Sequence, residues 1–123
     1  MIVVDASALA AFLFGGARVP PDTDLHAPAV CDLEVASIAR RLLRLRRTTL
    51  EGAAIAVAQY LALPLTRHEH TALLGRILDL RHNFTAYDAS YVALAEQPDV
   101  PFLTADARLG GTIRRHLPHV TLA

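Results

Sequence analysis

Ile2-Val3-Val4-Asp5-Ala6-Ser7-Ala8-Leu9-Ala10-Ala11-Phe12-Leu13 decides the fold class. Three β-branched residues make a short buried strand, an acid ends it, and residues of helix-forming composition follow at once. Outward from this unit the same alternation continues. Gly15-Gly16 and Pro20-Pro21 with Asp22-Thr23-Asp24 read as a loop, and Leu25-His26-Ala27-Pro28 as a short strand or turn. Leu33, Ile38, Leu42 and Leu45 recur at near-helical spacing and predict a long amphipathic helix over 30–47. Thr48 with Glu51 is a capping-box pattern for a helix over 49–61, and Leu63-Pro64-Leu65-Thr66 reads as a strand. Thr66 with Glu69 repeats the pattern ahead of a helix over 68–81. A further helix over 86–97 is closed by Pro98. Residues 101–104 then form a strand, 105–117 a helix weakened by Gly110-Gly111, and 119–122 a terminal strand. Connections this long exclude hairpins, so the prediction is an α/β three-layer sandwich with a mainly parallel central sheet.

Length and composition agree with one domain over residues 1–123. The chain is 53% hydrophobic, and 12 basic residues balance 12 acidic ones. Its one cysteine, Cys31, cannot form an internal disulfide and reads as a small buried thiol. Every basic residue is Arg. Without Lys the chain cannot be a P-loop nucleotidase, a protein kinase or a Schiff-base enzyme. Phosphoaspartate receivers and haloacid-dehalogenase-type phosphatases, which as families rely on a Lys, lose ground for the same reason. The apolar N-terminus is interrupted by Asp5 and Ser7 and has no basic residue before Arg18, so no signal peptide is expected and the cytoplasm is the expected location. The longest charge-free stretch, 52–66, is shorter than the roughly 18 residues of a membrane span.

In a parallel sheet the carboxyl ends of the strands share one edge, and ligands bind there where the strand order reverses. Asp5 ends the first strand, and Asp106 closely follows the strand through Phe102-Leu103-Thr104. Glu34 falls in the first turns of the second helix and Asp88 in the first turn of the helix after Thr85. A wound topology brings all four to one pocket. Two unit charges 4 Å apart interact by about 4 kcal/mol at an effective dielectric of 20, so such a cluster calls for a cation. Oxygen-only ligands select Mg²⁺ or Mn²⁺, and a metal-activated water beside a phosphate ester is the chemistry they serve. Each acid also has a structural alternative: Asp88 as a capping-box acid, Asp106 as a helix-dipole partner, Glu34 as a solvent-facing residue. Asp5 at the end of an apolar strand is the costliest to bury without a partner.

Four blocks now carry a resemblance: Ile2-Val3-Val4-Asp5-Ala6-Ser7, Asp32-Leu33-Glu34-Val35 leading into Arg40-Arg41, Thr85-Ala86-Tyr87-Asp88-Ala89-Ser90-Tyr91, and Leu103-Thr104-Ala105-Asp106-Ala107-Arg108-Leu109. In order and spacing they resemble the motifs of PIN-domain ribonucleases, in particular the VapC toxins of bacterial toxin–antitoxin pairs. The resemblance spans nearly the whole chain. It implies a divalent-metal-dependent endoribonuclease with Asp5, Glu34, Asp88 and Asp106 as catalytic acids. Asp5, Asp88 and Asp106 would hold Mg²⁺, for which Mn²⁺ substitutes, and Ser7 and Thr104 would be auxiliary hydroxyls. It further implies cleavage that leaves 5′-phosphate and 3′-hydroxyl ends, a small antitoxin partner and a homodimer. Ser37 departs from the pattern, because relatives often carry Asn there. A binding module without catalysis and a DNA nuclease remain alternatives, since nothing in the acids senses a 2′-hydroxyl.

Arg40, Arg44 and Arg47 fall at i, i+4 and i+7 and form a basic stripe that would track RNA phosphates, the alternative being a solvated helix face. His68 with His70 and His116 with His119 have metal-like spacing but no third ligand. Tyr87 and Tyr91, one turn apart, read as packing residues, with Tyr87 also able to line the pocket beside Asp88.

Overall fold

The computed structural model describes residues 1–18, 24–97 and 99–123. The elements follow in the order β1 (Ile2–Val4), α1 (Ala6–Gly15), β2 (Leu25–Pro28), α2 (Cys31–Arg44), α3 (Leu50–Ala62) and β3 (Leu65–His68). After a single 3₁₀ turn over Thr71–Leu73 come α4 (Leu74–Asp79), α5 (Ala86–Ala95), β4 (Phe102–Leu103) and α6 (Ala107–His116). The expected loop residues Pro20, Pro21, Asp22 and Thr23, and Pro98 as the residue closing α5, lie outside the described residues.

The strands pair in the order β3-β2-β1-β4, and every pairing is parallel. From β1 the chain winds outward through β2 to β3, then returns to add β4 on the other side of β1. The winding direction therefore reverses between β1 and β4, which opens a crevice beyond their carboxyl ends. The β1 side chains Val3 and Val4, together with Phe102, are fully buried at the sheet centre. On the helical layers, α1, α2 and α3 pack on one another, while α5 packs on β1, β2 and α4. This is the three-layer α/β sandwich the alternation predicts. Residues 89–95 of α5 are all buried, as expected of a helix that is apolar nearly all round.

Local differences have identifiable causes. Thr49, not Thr48, caps α3, its Oγ1 accepting from Gly52 N at 3.0 Å. Thr66 caps nothing, because it lies within β3 opposite His26 of β2. Pairing with β2 therefore draws the strand on to His68 and leaves only the 3₁₀ turn and α4 of the helix expected over 68–81. The terminal strand over 119–122 reduces to a single parallel bridge between Leu122 and Phe102. α2 ends at Arg44 in a Schellman motif, with Arg47 N bonded to Leu42 O (2.9 Å) and Arg46 N to Leu43 O (3.0 Å). Arg46 takes the left-handed conformation usually given to glycine (φ 56°), so Arg47 is off the helix. α6 runs unbroken through Gly110-Gly111.

Candidate active site

All four predicted acids line one cleft of about 480 Å³, together with Ser7, Ser37, Tyr87 and Tyr91. Each reaches it from a helix N-terminus. Asp5 is the N-cap of α1, Asp106 the N-cap of α6, and Glu34 and Asp88 lie in the first turns of α2 and α5. Helix dipoles favour negative charge at these ends, which offsets part of the mutual repulsion. The structural alternatives for Asp88 and Asp106 are thus compatible with a place in the cleft.

Asp5 is the most firmly held of the four. Its Oδ1 accepts from Ser7 Oγ (2.6 Å) and Ala8 N (2.9 Å), and its Oδ2 from Thr104 Oγ1 (2.5 Å). In turn Ser7 Oγ accepts from Ala105 N and Thr104 Oγ1 from Asp106 N, each at 3.0 Å. Each hydroxyl gives its one proton to Asp5 and takes one from the segment after β4. That arrangement fixes the carboxylate and binds the end of β1 to the start of α6. Asp106 Oδ1 is occupied by Arg108 N (3.0 Å) and Leu109 N (3.1 Å), while Asp88 N is held by Thr85 Oγ1 at 3.1 Å.

The carboxyl groups of Asp5, Glu34 and Asp88 are displaced upward from their ordinary values. Burial is the largest cause for Asp5, outweighing its hydrogen bonds. Burial also raises Glu34, with the charges of Asp88 and Asp5 adding to it. In Asp88 burial again dominates, opposed by Arg108 and reinforced by Asp106. Glu34 Oε1 and the Tyr91 hydroxyl are both buried without a well-aligned hydrogen bond, and Tyr91 stands close enough to the Glu34 carboxyl to oppose part of its rise. Among the described residues, no three His, Cys, Asp or Glu side chains close into a ready-made metal cage. The four acids share an open cleft that Val30, Leu33 and Ile38 also line.

Similarity to known proteins matches this geometry. The chain is 42% identical over 121 residues to Ribonuclease VapC9 of Mycobacterium tuberculosis, an alignment that covers 96% of this chain and 95% of the relative. The chain belongs to the VapC ribonucleases. A VapC ribonuclease of Mycobacterium bovis aligns with the same identity and coverage. Ribonuclease VapC12 of Mycobacterium tuberculosis is 35% identical over 115 residues, 89% of both chains. No protein-family model matches the sequence.

In this VapC-family chain Arg40, Arg44 and Arg47 are exposed, and none is in an ion pair among the described residues. Arg40 and Arg44 share α2, whereas Arg47 belongs to the turn that follows. The tyrosines divide: Tyr91 is packed against the core while Tyr87 is exposed, and both line the cleft. Cys31 is buried and reduced, and burial raises its thiol pKa. His68 faces His26 (2.7 Å) and His119 faces Glu96 (2.9 Å), pairings the His spacing does not suggest. Sequence reasoning also missed Arg108, whose guanidinium approaches Asp88 and Asp106. Its signal was its place two residues after Asp106, on the first turn of α6.

Proposed function

We propose that this protein is the toxin of a type II toxin–antitoxin pair, an endoribonuclease that depends on Mg²⁺ and accepts Mn²⁺. Glu34 is the observation that carries the reading: its half-buried carboxyl shares a cleft with three further acids, one of its oxygens makes no well-aligned hydrogen bond, and no cation pairs with it among the described residues. Leaving such a group unsatisfied costs about 1–3 kcal/mol, a cost that a cation or a water in the cleft relieves. The donors are all oxygen, as a hard divalent ion requires, and Mg²⁺ in particular keeps several waters and needs few carboxylates. Asp5, Asp88 and Asp106 would hold the ion. When bound, it supplies positive charge to the phosphoryl oxygens and lowers the pKa of a water nucleophile.

The chain's own residues do the rest. Ser7 and Thr104 hold both oxygens of Asp5, so this ligand needs no reorientation. Glu34, with a free oxygen, orients the attacking water and takes up its proton, for which its raised affinity for protons suits it. Hydrolysis of the RNA phosphodiester leaves 5′-phosphate and 3′-hydroxyl ends. Arg40, Arg44 and Arg47 serve as RNA-binding residues on the exposed surface.

The names of the relatives support RNA as substrate; a small antitoxin as partner and the cytoplasm as the place of action belong to the same reading. The antitoxin would place an Arg or Lys near the acids. Among the described residues no helix is long and apolar enough to cross a membrane. A second copy of the chain would cover the face of α3 that leaves Leu50, Val57 and Leu61 exposed at i, i+7 and i+11. The test is incubation of the purified chain with end-labelled RNA and with DNA of the same sequence, in Mn²⁺ or EDTA. RNA cleavage lost in EDTA is the expected result. Equal cutting of DNA would make it a general nuclease, and intact RNA in Mn²⁺ a binding module.

A further inference from the structure

No Arg or His lines the cleft itself, but one cation reaches its acids from the rim. Arg108 Nη2 lies 3.5 Å from Asp88 Oδ2 and 3.6 Å from Asp106 Oδ2, so the guanidinium spans carboxylates carried by two different helices. The contact is loose. Arg67 meets Asp32, and Arg76 meets Glu96, at 2.7 Å, whereas Arg108 stands well beyond the 2.7–2.9 Å of a charge-assisted hydrogen bond and its side chain is 69% exposed. Its backbone, by contrast, is fixed, because Arg108 N donates to Asp106 Oδ1 at 3.0 Å. A side chain anchored at its base and weakly held at its tip can leave the carboxylates without any change in the fold.

We propose that Arg108 is a displaceable counter-cation, standing between Asp88 and Asp106 while the cleft is free of metal and turning to an RNA phosphate once a divalent ion takes those oxygens. This rests on the metal-dependent ribonuclease reading and adds to it a competition built into the chain. Charge supports the exchange. One guanidinium neutralises only part of the repulsion between the two acids, whereas a doubly charged ion at the same oxygens neutralises it fully. Exposed ion pairs are weak, so Arg108 competes only modestly with the ion. Tethered at the first turn of α6, the released guanidinium stays within a side-chain length of the cleft, where its fork suits a phosphate.

Calorimetric titration of the metal-free full chain with MnCl₂, without RNA, tests this. Arg108→Gln keeps the cap on its backbone N and loses the cation. It should bind Mn²⁺ about two- to fivefold more tightly than the wild type, the range set by an exposed ion pair. Arg108→Lys, which retains the charge, should bind Mn²⁺ as the wild type does. In saturating Mn²⁺, Arg108→Gln should raise KM for RNA severalfold with a smaller change in kcat, because a phosphate contact is lost. Equal or weaker Mn²⁺ binding by Arg108→Gln, or an unchanged KM, overturns the proposal. If the wild type binds Mn²⁺ and cleaves RNA but the variant behaves identically, only the role of Arg108 falls. If the wild type binds no Mn²⁺, the metal-dependent reading falls and this inference with it.

Discussion

Asp32 and Glu34 stand two residues apart in the first turn of α2 and meet opposite surroundings. Asp32 Oδ1 accepts from the Tyr60 hydroxyl (2.5 Å) and from Arg67 Nε (2.7 Å), and Arg67 also lies 5.3 Å over the Tyr60 ring. Burial acts against its charge, yet these partners from α3 and β3 bring its carboxyl below the usual range. Glu34 points into the cleft, finds no cation and is raised. One helical turn thus carries an acid whose charged partner is folded in beside one that has no charged partner among the described residues. The difference in surroundings distinguishes the two carboxylates where position on the helix does not.

Exchanging charge for an isosteric amide in the two regions should break the comparison most sharply. Asp5→Asn should lower RNA cleavage at least about 100-fold if, as proposed, Asp5 is a charged ligand of an ion that acts at the phosphate. Its metal-free melting temperature should hold or rise, because Asn still caps α1 and one repelling charge is gone. Asp32→Asn should do the reverse. Cleavage should stay near the wild-type rate while stability falls by about 1 kcal/mol, or roughly 3–5 °C in a chain of this size. Equal activity losses in both variants would erase the distinction.

Acid titration sharpens it further. A raised carboxyl such as Glu34 contributes stability that is full below its ordinary value of 4.5 and is lost as pH rises through the folded-state value. Asp32, which is lowered, contributes stability present above its ordinary value of 3.8 and lost as pH falls through its folded-state value. Metal-free melting curves should therefore show Glu34→Gln gaining on the wild type as pH rises from 4 to 7. Asp32→Asn should instead lose ground below that range, as pH rises through the folded-state value towards 3.8, and differ from the wild type by a constant amount above it. A pH-independent Glu34→Gln difference would count against a half-buried carboxyl without a cation.

The smallest expected effect concerns the arginines outside both regions. Replacing Arg40, Arg44 and Arg47 together by Gln should weaken RNA binding and reduce the slope of log affinity against log salt by up to about 2, with the fold intact. An unchanged slope would make them a solvated surface.

The parts of this site that depend on local pattern were legible in the sequence. Ile2-Val3-Val4-Asp5 declares a buried strand ending in an acid, and the parallel topology then places Glu34, Asp88 and Asp106 at the same edge. What was not legible depends on partners distant along the chain. Thr66 and Glu69 spell a helix start, but pairing with β2 makes Thr66 part of a strand. The tie between Asp32 and Arg67, and the facing of His26 and His68, follow from the same pairing. Arg47 looks like a third helical arginine until Arg46 turns left-handed and ends α2 before it. Tyr91 reads as core, which it is, while the nearness of its hydroxyl to Cys31 and Glu34 of α2 links residues far apart in the chain.

Thermal unfolding with and without Mn²⁺, run side by side on the wild type, Asp5→Asn and Asp32→Asn, tests the central claim most directly. A ligand that binds only the folded state raises its melting temperature in proportion to its occupancy. Mn²⁺ should stabilise the wild type and Asp32→Asn by similar increments and leave Asp5→Asn nearly unmoved. An equal increment in all three proteins, or none in the wild type, would contradict it.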